Sequence, residues 1–183
     1  VGVSTENFES FANNSVPPLN LTFGADTATL TGGSAINSFF PASPAGRIPT
    51  SGTKYFTANN TFNIAFSTPQ AAFGFYGTDI GDFNGQLTLT LNFAGGGSTV
   101  IDVPHTLEAP SASILYFGVI ATTSAELFSS LSFGTTTGDD IFGFDDMTIG
   151  RLEQVNTVPE PGTIALVAAG IGIVALRRFA FRR

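Results

Sequence analysis

The chain has 183 residues, room for one domain and an appendage but short for two full domains. Hydrophobic residues make up 43% and charged residues 11%, which is too apolar for a disordered chain, and the absence of Cys excludes both a disulfide framework and a thiolate metal site. Net charge is −7, yet four of the seven basic residues are Arg177, Arg178, Arg182 and Arg183. Residues 1–157 therefore carry three basic groups against 13 acidic ones, a net charge of about −10 that repels phosphate backbones and sets nucleic acid aside as a partner.

The sequence begins at Val1 without an initiator Met or the basic and apolar regions of a secretory signal, as expected where a signal peptide has been removed or left out. From there to Ile149, short apolar runs are broken by Gly, Pro, Asn and Asp, the punctuation of strands and turns. Candidate strands fall at 19–23 and 28–30. A Pro-, Gly- and Ser-rich surface loop is expected over 40–53. Phe62, Ile64 and Phe66 alternate with smaller or polar residues, and Phe73 and Phe75 repeat the alternation.

The clearest strand is 86–93, with Leu87, Leu89, Leu91 and Phe93 on one face and Thr88, Thr90 and Asn92 on the other. Gly95, Gly96 and Gly97 then turn the chain into a second run through Val100, Ile101 and Val103, as in a hairpin. Further strands are expected at 114–121, 127–133 and 146–149. In the last run Phe142 and Phe144 share one phase, and Met147 and Ile149 the other. The switch at Asp145 and Asp146 predicts a bulge. Eight or more short strands without interleaved helices predict an all-β fold, an antiparallel β-sandwich or jelly roll.

Two prolines one residue apart, Pro159 and Pro161, make a stiff extended joint after the polar stretch 151–157. Residues 162–176 then carry no charge. As a helix they would span roughly 22 Å, short of the roughly 30 Å hydrocarbon thickness. Phe179, Ala180 and Phe181 lengthen the apolar face if Arg177 and Arg178 snorkel to the headgroups, and the four arginines belong on the cytoplasmic side. The fold is thus expected to be followed by a single C-terminal hydrophobic helix that anchors the chain in a membrane.

Val158, Pro159, Glu160 and Pro161, the apolar helix and the Arg177, Arg178, Arg182, Arg183 cluster, in that order at the C-terminal end, resemble the PEP-CTERM sorting signal of Gram-negative bacteria. The resemblance implies an exosortase-like membrane protease that recognises the Pro-Glu-Pro motif and removes the helix and basic tail. It also implies an exported, transiently anchored protein associated with exopolysaccharide and biofilm matrix. Phe73-Gly74-Phe75 and Phe144-Asp145-Asp146-Met147-Thr148-Ile149 are similar, more loosely, to β-rich domains that carry this signal. The expected organisation is an extracellular sandwich over 1–150, a linker over 151–157 and the sorting signal over 158–183.

Within the domain the acids are scarce and paired: Asp79 with Asp82, Asp139 with Asp140, and Asp145 with Asp146. Ca²⁺ takes six to eight oxygen ligands from such turns. A structural Ca²⁺ site is the sharper reading of Glu9, Asp139, Asp140, Asp145 and Asp146, with Glu6 and Glu9 brought close if the terminal strands pair. The plainer reading is that these acids cap turns and keep an apolar surface soluble. His105 is the one imidazole and lies beside Pro104 with no nucleophile motif, so no catalytic residue is assigned and a non-enzymatic protein is expected. Tyr55, Tyr76 and Tyr116 are candidates for stacking on sugar rings. The leading expectation is a structural or adhesive surface or matrix protein. The alternatives are a Ca²⁺-dependent carbohydrate-binding module and a self-assembling fibre subunit.

Overall fold

The computed structural model describes residues 3–38, 46–59, 61–81, 84–136 and 140–155. The strands are β1 (Ser4–Glu6), β2 (Leu19–Phe23), β3 (Asp26–Gly32), β4 (Ile36–Asn37), β5 (Tyr55–Ala58), β6 (Phe62–Gln70), β7 (Ala72–Thr78), β8 (Leu87–Phe93), β9 (Ser98–Asp102), β10 (Ile114–Ile120), β11 (Phe128–Thr135) and β12 (Phe142–Gly150). A short helix, α1 (Leu152–Val155), follows β12. The apolar helix expected over 162–176 lies outside the described residues. Among the described residues no helix is long and apolar enough to cross a membrane.

Two antiparallel sheets result. One runs β10-β7-β12-β5-β4 with β1 also paired to β12, and the other runs β2-β3-β6-β11-β8-β9. The chain passes repeatedly between them, so neighbours such as β6 and β11, or β7 and β12, are far apart in sequence. This is the sandwich that the alternating pattern demands. Each of β2, β6 and β8 turns one row inward, and Leu19, Leu21, Phe62, Ile64, Leu87 and Leu89 are all buried. β8 and β9 form the hairpin across the glycine turn.

Phenylalanine joins the sheets. Phe62 stacks on Phe133 within one sheet, with centroids 4.2 Å apart, and Phe75 stacks on Phe144 within the other at 5.0 Å. The two pairs meet edge to face, Phe75 against Phe133 at 5.3 Å and Phe62 against Phe144 at 5.4 Å. These are the arrangements that the ring quadrupole favours.

Three strands escape the sequence pattern. β1 and β4 are only three and two residues long, and β5 is buried on both faces and so shows no alternation. The terminal strands do pair, with Ser4 opposite Ile149 and Glu6 opposite Met147. Pairing of β12 with β7 shifts register between Asp145 and Thr148, and Asp146 has a φ of 47°. The phase switch is therefore a bulge.

Candidate functional site

The bulge falls where β12 changes partners. Its first half pairs with β5 through Phe142, Gly143 and Phe144, and its second half with β1 through Met147, Thr148 and Ile149. Between those partners Asp145 and Asp146 meet the segment 50–54, the described end of the loop expected over 40–53.

Three carboxylates hold that segment. Asp145 Oδ2 accepts from the Thr50 N–H (2.7 Å), the Thr50 hydroxyl (3.0 Å) and the Ser51 N–H (3.2 Å), while Asp145 Oδ1 accepts from the Asp146 N–H at 2.8 Å. Asp146 accepts from the Thr50 hydroxyl at 2.9 Å and the Ser51 hydroxyl at 2.7 Å. Glu9 takes the next turn, accepting from the N–H groups of Thr53 (2.7 Å) and Lys54 (2.6 Å) and from the Thr53 hydroxyl (3.1 Å). The Lys54 ammonium then donates back to the carbonyls of Glu9 (2.9 Å) and Phe11 (2.6 Å).

The two ends of this clasp differ electrically. Burial pushes the Asp145 carboxyl up to about 6 against the pull of its three backbone donors, and the neighbouring Asp146 charge adds to the rise. Burial also works to raise Glu9, but the bonds donated by Thr53 and Lys54 outweigh it and hold its carboxyl below the ordinary value.

Glu9, Asp145 and Asp146 thus converge on one loop. Asp140 stands elsewhere, buried and accepting from the Gly81 N–H at 2.9 Å, and Asp139 lies outside the described residues. Among the described residues no group of three or more His, Cys, Asp or Glu is placed to hold a metal ion. Glu6 accepts from the Phe8 N–H at 2.7 Å and holds that residue at a φ of 61°. His105 Nε2 accepts from the Leu87 N–H at 3.0 Å, which gives the imidazole a place at the start of β8.

A second feature lies on the outer face of the β10-β7-β12 sheet. Tyr76 on β7 and Tyr116 on β10 are paired in register, their rings 4.9 Å apart and tilted by 56°, and both are exposed. The adjoining row is Gly118, Gly74, Thr148 and Thr5, where the two threonine hydroxyls bond to each other at 2.9 Å. A Cβ at Gly74 would lie 2.5 Å from the Tyr116 hydroxyl, so glycine is what lets that ring lie across the sheet. Tyr55 is buried and takes no part. Neither Lys54 nor the glycine floor was named by sequence reasoning. The available signals were a lone Lys in an acidic domain and a Gly two residues along the strand from each exposed Tyr.

Beyond the sandwich, the model of the PEP-CTERM protein-sorting motif matches residues 157–183. The chain carries the PEP-CTERM sorting signal. Val158, Pro159, Glu160, Pro161 and the four terminal arginines fall within this match, outside the described residues. The PEP-CTERM signal makes this an exported protein, handled at the membrane by an exosortase. No curated protein matches the chain.

Among solved structures the chain is similar to the K2 cleaved adhesin domain of Lys-gingipain, at 10% identity and a TM-score of 0.47 over 80% of this chain and 97% of that one. It is also similar to TmCBM61 in complex with β-1,4-galactotriose, at 15% identity and a TM-score of 0.43 over 79% and 94%. A third is the C-terminal family 22 carbohydrate binding module of Clostridium thermocellum Xyn10B, at 11% identity and a TM-score of 0.44 over 84% and 94%. At such scores no site residue carries across to this chain.

Proposed function

We propose that the protein is a structural or adhesive component of the cell surface or extracellular matrix, whose sandwich is its working part and whose tail is removed by an exosortase-like protease. The sorting motif at 157–183 is the observation that carries this reading. In it, the apolar segment holds the chain in the inner membrane with the arginines cytoplasmic, and Pro159, Glu160 and Pro161 present an extended, accessible joint to the protease. Deleting those three residues should leave the tail attached, read as the intact mass of protein recovered from a host that carries the protease. Loss of the tail from the deletion variant would overturn the reading.

The exposed Tyr76–Tyr116 pair favours a second, finer reading in which the adhesive target is a neutral glycan. A tyrosine ring lying on a glycine floor offers its face to the C–H groups of a pyranose, and the Thr5 and Thr148 hydroxyls stand in the next row. The acidic surface disfavours anionic polymers. Affinity electrophoresis through neutral polysaccharides should show retardation that Tyr116→Ala weakens about three- to tenfold. Equal retardation of the variant and the parent would sink the tyrosine assignment.

A further inference from the structure

The edges of the two sheets are unequal. Natural edge strands are kept from pairing with other chains by shortness, charge, Pro or bulges. β4 has two residues, β9 ends in Asp102, and β2 follows Pro17 and Pro18. β10 has none of these devices. Its seven residues, Ile114-Leu115-Tyr116-Phe117-Gly118-Val119-Ile120, are uncharged and pair in unbroken register with β7, and among the described residues β10 has no strand on its other side. Its outer row is also the most exposed apolar row of the domain, with Ile114 at 58%, Tyr116 at 55% and Ile120 at 67% exposure.

We propose that β10 is a dimerisation edge whose occupant is β10 of a second copy, paired antiparallel about a two-fold axis at Phe117. The sequence is self-complementary in that register. On the outer face Ile114 meets Ile120 of the second copy, and each covers apolar surface that the monomer leaves in water. Tyr116 meets Gly118, which has no side chain to obstruct a ring already leaning over Gly74 toward β7. On the inner face Phe117 meets its own copy, and Leu115 meets Val119, which lines a groove of about 300 Å³ together with Phe93, Ile101, Phe128, Thr99 and Glu126. Facing residues share parity throughout, so outward N–H and C=O groups of one copy meet those of the other.

The contact is isologous and closes on itself, giving a dimer and no fibre. It joins the two six-stranded β10 sheets into one continuous sheet and sets the two tyrosine pairs on the same face, in adjoining rows either side of the axis.

Sedimentation equilibrium of the full chain in detergent tests the register. The parent chain should be dimeric. Ile114→Lys and Ile120→Glu change exposed side chains and should leave the far-ultraviolet spectrum unchanged, but each should weaken the dimer by on the order of tenfold or more, because each puts a charge opposite an isoleucine at both ends of the contact. The double variant sets the introduced ammonium of one copy opposite the introduced carboxylate of the other at both ends and should be restored toward the parent affinity. A monomeric parent, single variants as dimeric as the parent (as association through the tail would give), larger assemblies that persist in both single variants, or a double variant no tighter than the singles would each overturn the proposal. These readouts are masses of the folded chain, so they stand or fall separately from tail processing and glycan retention.

Discussion

At the scale of single residues, the most consequential group is Asp145. It is buried, it accepts four hydrogen bonds, and burial still wins: the carboxyl is pushed up to about 6. Because the folded chain holds this proton more tightly than the unfolded chain, where the group titrates near 3.8, folding is favoured while the group is protonated and loses ground as it ionises. The contribution of Asp145 to stability should therefore fall as pH rises from about 4 through about 6 and level off above that, by on the order of 2–3 kcal/mol. Asp26 works in the opposite sense at lower pH. The Arg151 guanidinium, bound to both its oxygens at 2.7 and 2.8 Å, holds that carboxyl below its usual range, so its stabilisation is lost as pH falls. The two are separated by difference: Asp145→Asn should gain stability relative to the parent between pH 4 and pH 7. Urea titrations of both proteins across that range would show it, and a difference that stays constant with pH would refute the assignment.

At the scale of elements, legibility followed periodicity. Strands with one dry and one wet face, such as β2, β6 and β8, announce themselves through alternating Leu, Ile and Phe. The bulge in β12 was legible for the same reason, because a phase slip between Phe144 and Met147 has few other physical causes. β5 was not, since burial of all four of its residues removes the contrast on which the pattern depends. Pairing partners beyond the β8–β9 hairpin and the terminal strands were equally hidden. Nothing local in Thr50, Ser51 or Thr53 says that their N–H groups close on Asp145 and Glu9, which lie 95 and 44 positions away from Thr50 and Thr53. Glu9, Asp145 and Asp146, three of the five carboxylates read as metal ligands, hold a loop instead, and only the fold brings donor and acceptor together. The tyrosine face was half legible. Tyr76 and Tyr116 could be named, but their adjacency depends on the β7–β10 register and their posture on Gly74.

At the scale of the whole molecule, the chain divides into an acidic sandwich and a basic, apolar tail, with Arg151 bonded to Asp26 of β3 six residues before the sorting match begins. With no cysteine to staple it, the sandwich depends on the contact between its sheets, and that contact converges on Phe133. Its ring lies 4.2 Å from Phe62 in its own sheet and 5.3, 5.8 and 6.1 Å from Phe75, Phe144 and Phe73 in the opposite one. Phe66, only partly buried, has its one close ring partner in Phe128 at 5.8 Å among the described pairs. Removing a phenyl from a site packed on every side forfeits its transfer energy and leaves a cavity that the surrounding strands can fill only by distorting their ladders. Phe133→Ala should therefore cost about 3–5 kcal/mol, a large share of the roughly 5–15 kcal/mol that holds a domain together. Phe66→Ala, at a site open to water, should cost clearly less. Urea unfolding followed by far-ultraviolet circular dichroism measures both, with the slope expected to stay near the parent value because the sheets part together. Equal losses for the two variants would mean that the phenyl cluster is not the centre of cohesion and that the sheets are held along their edges.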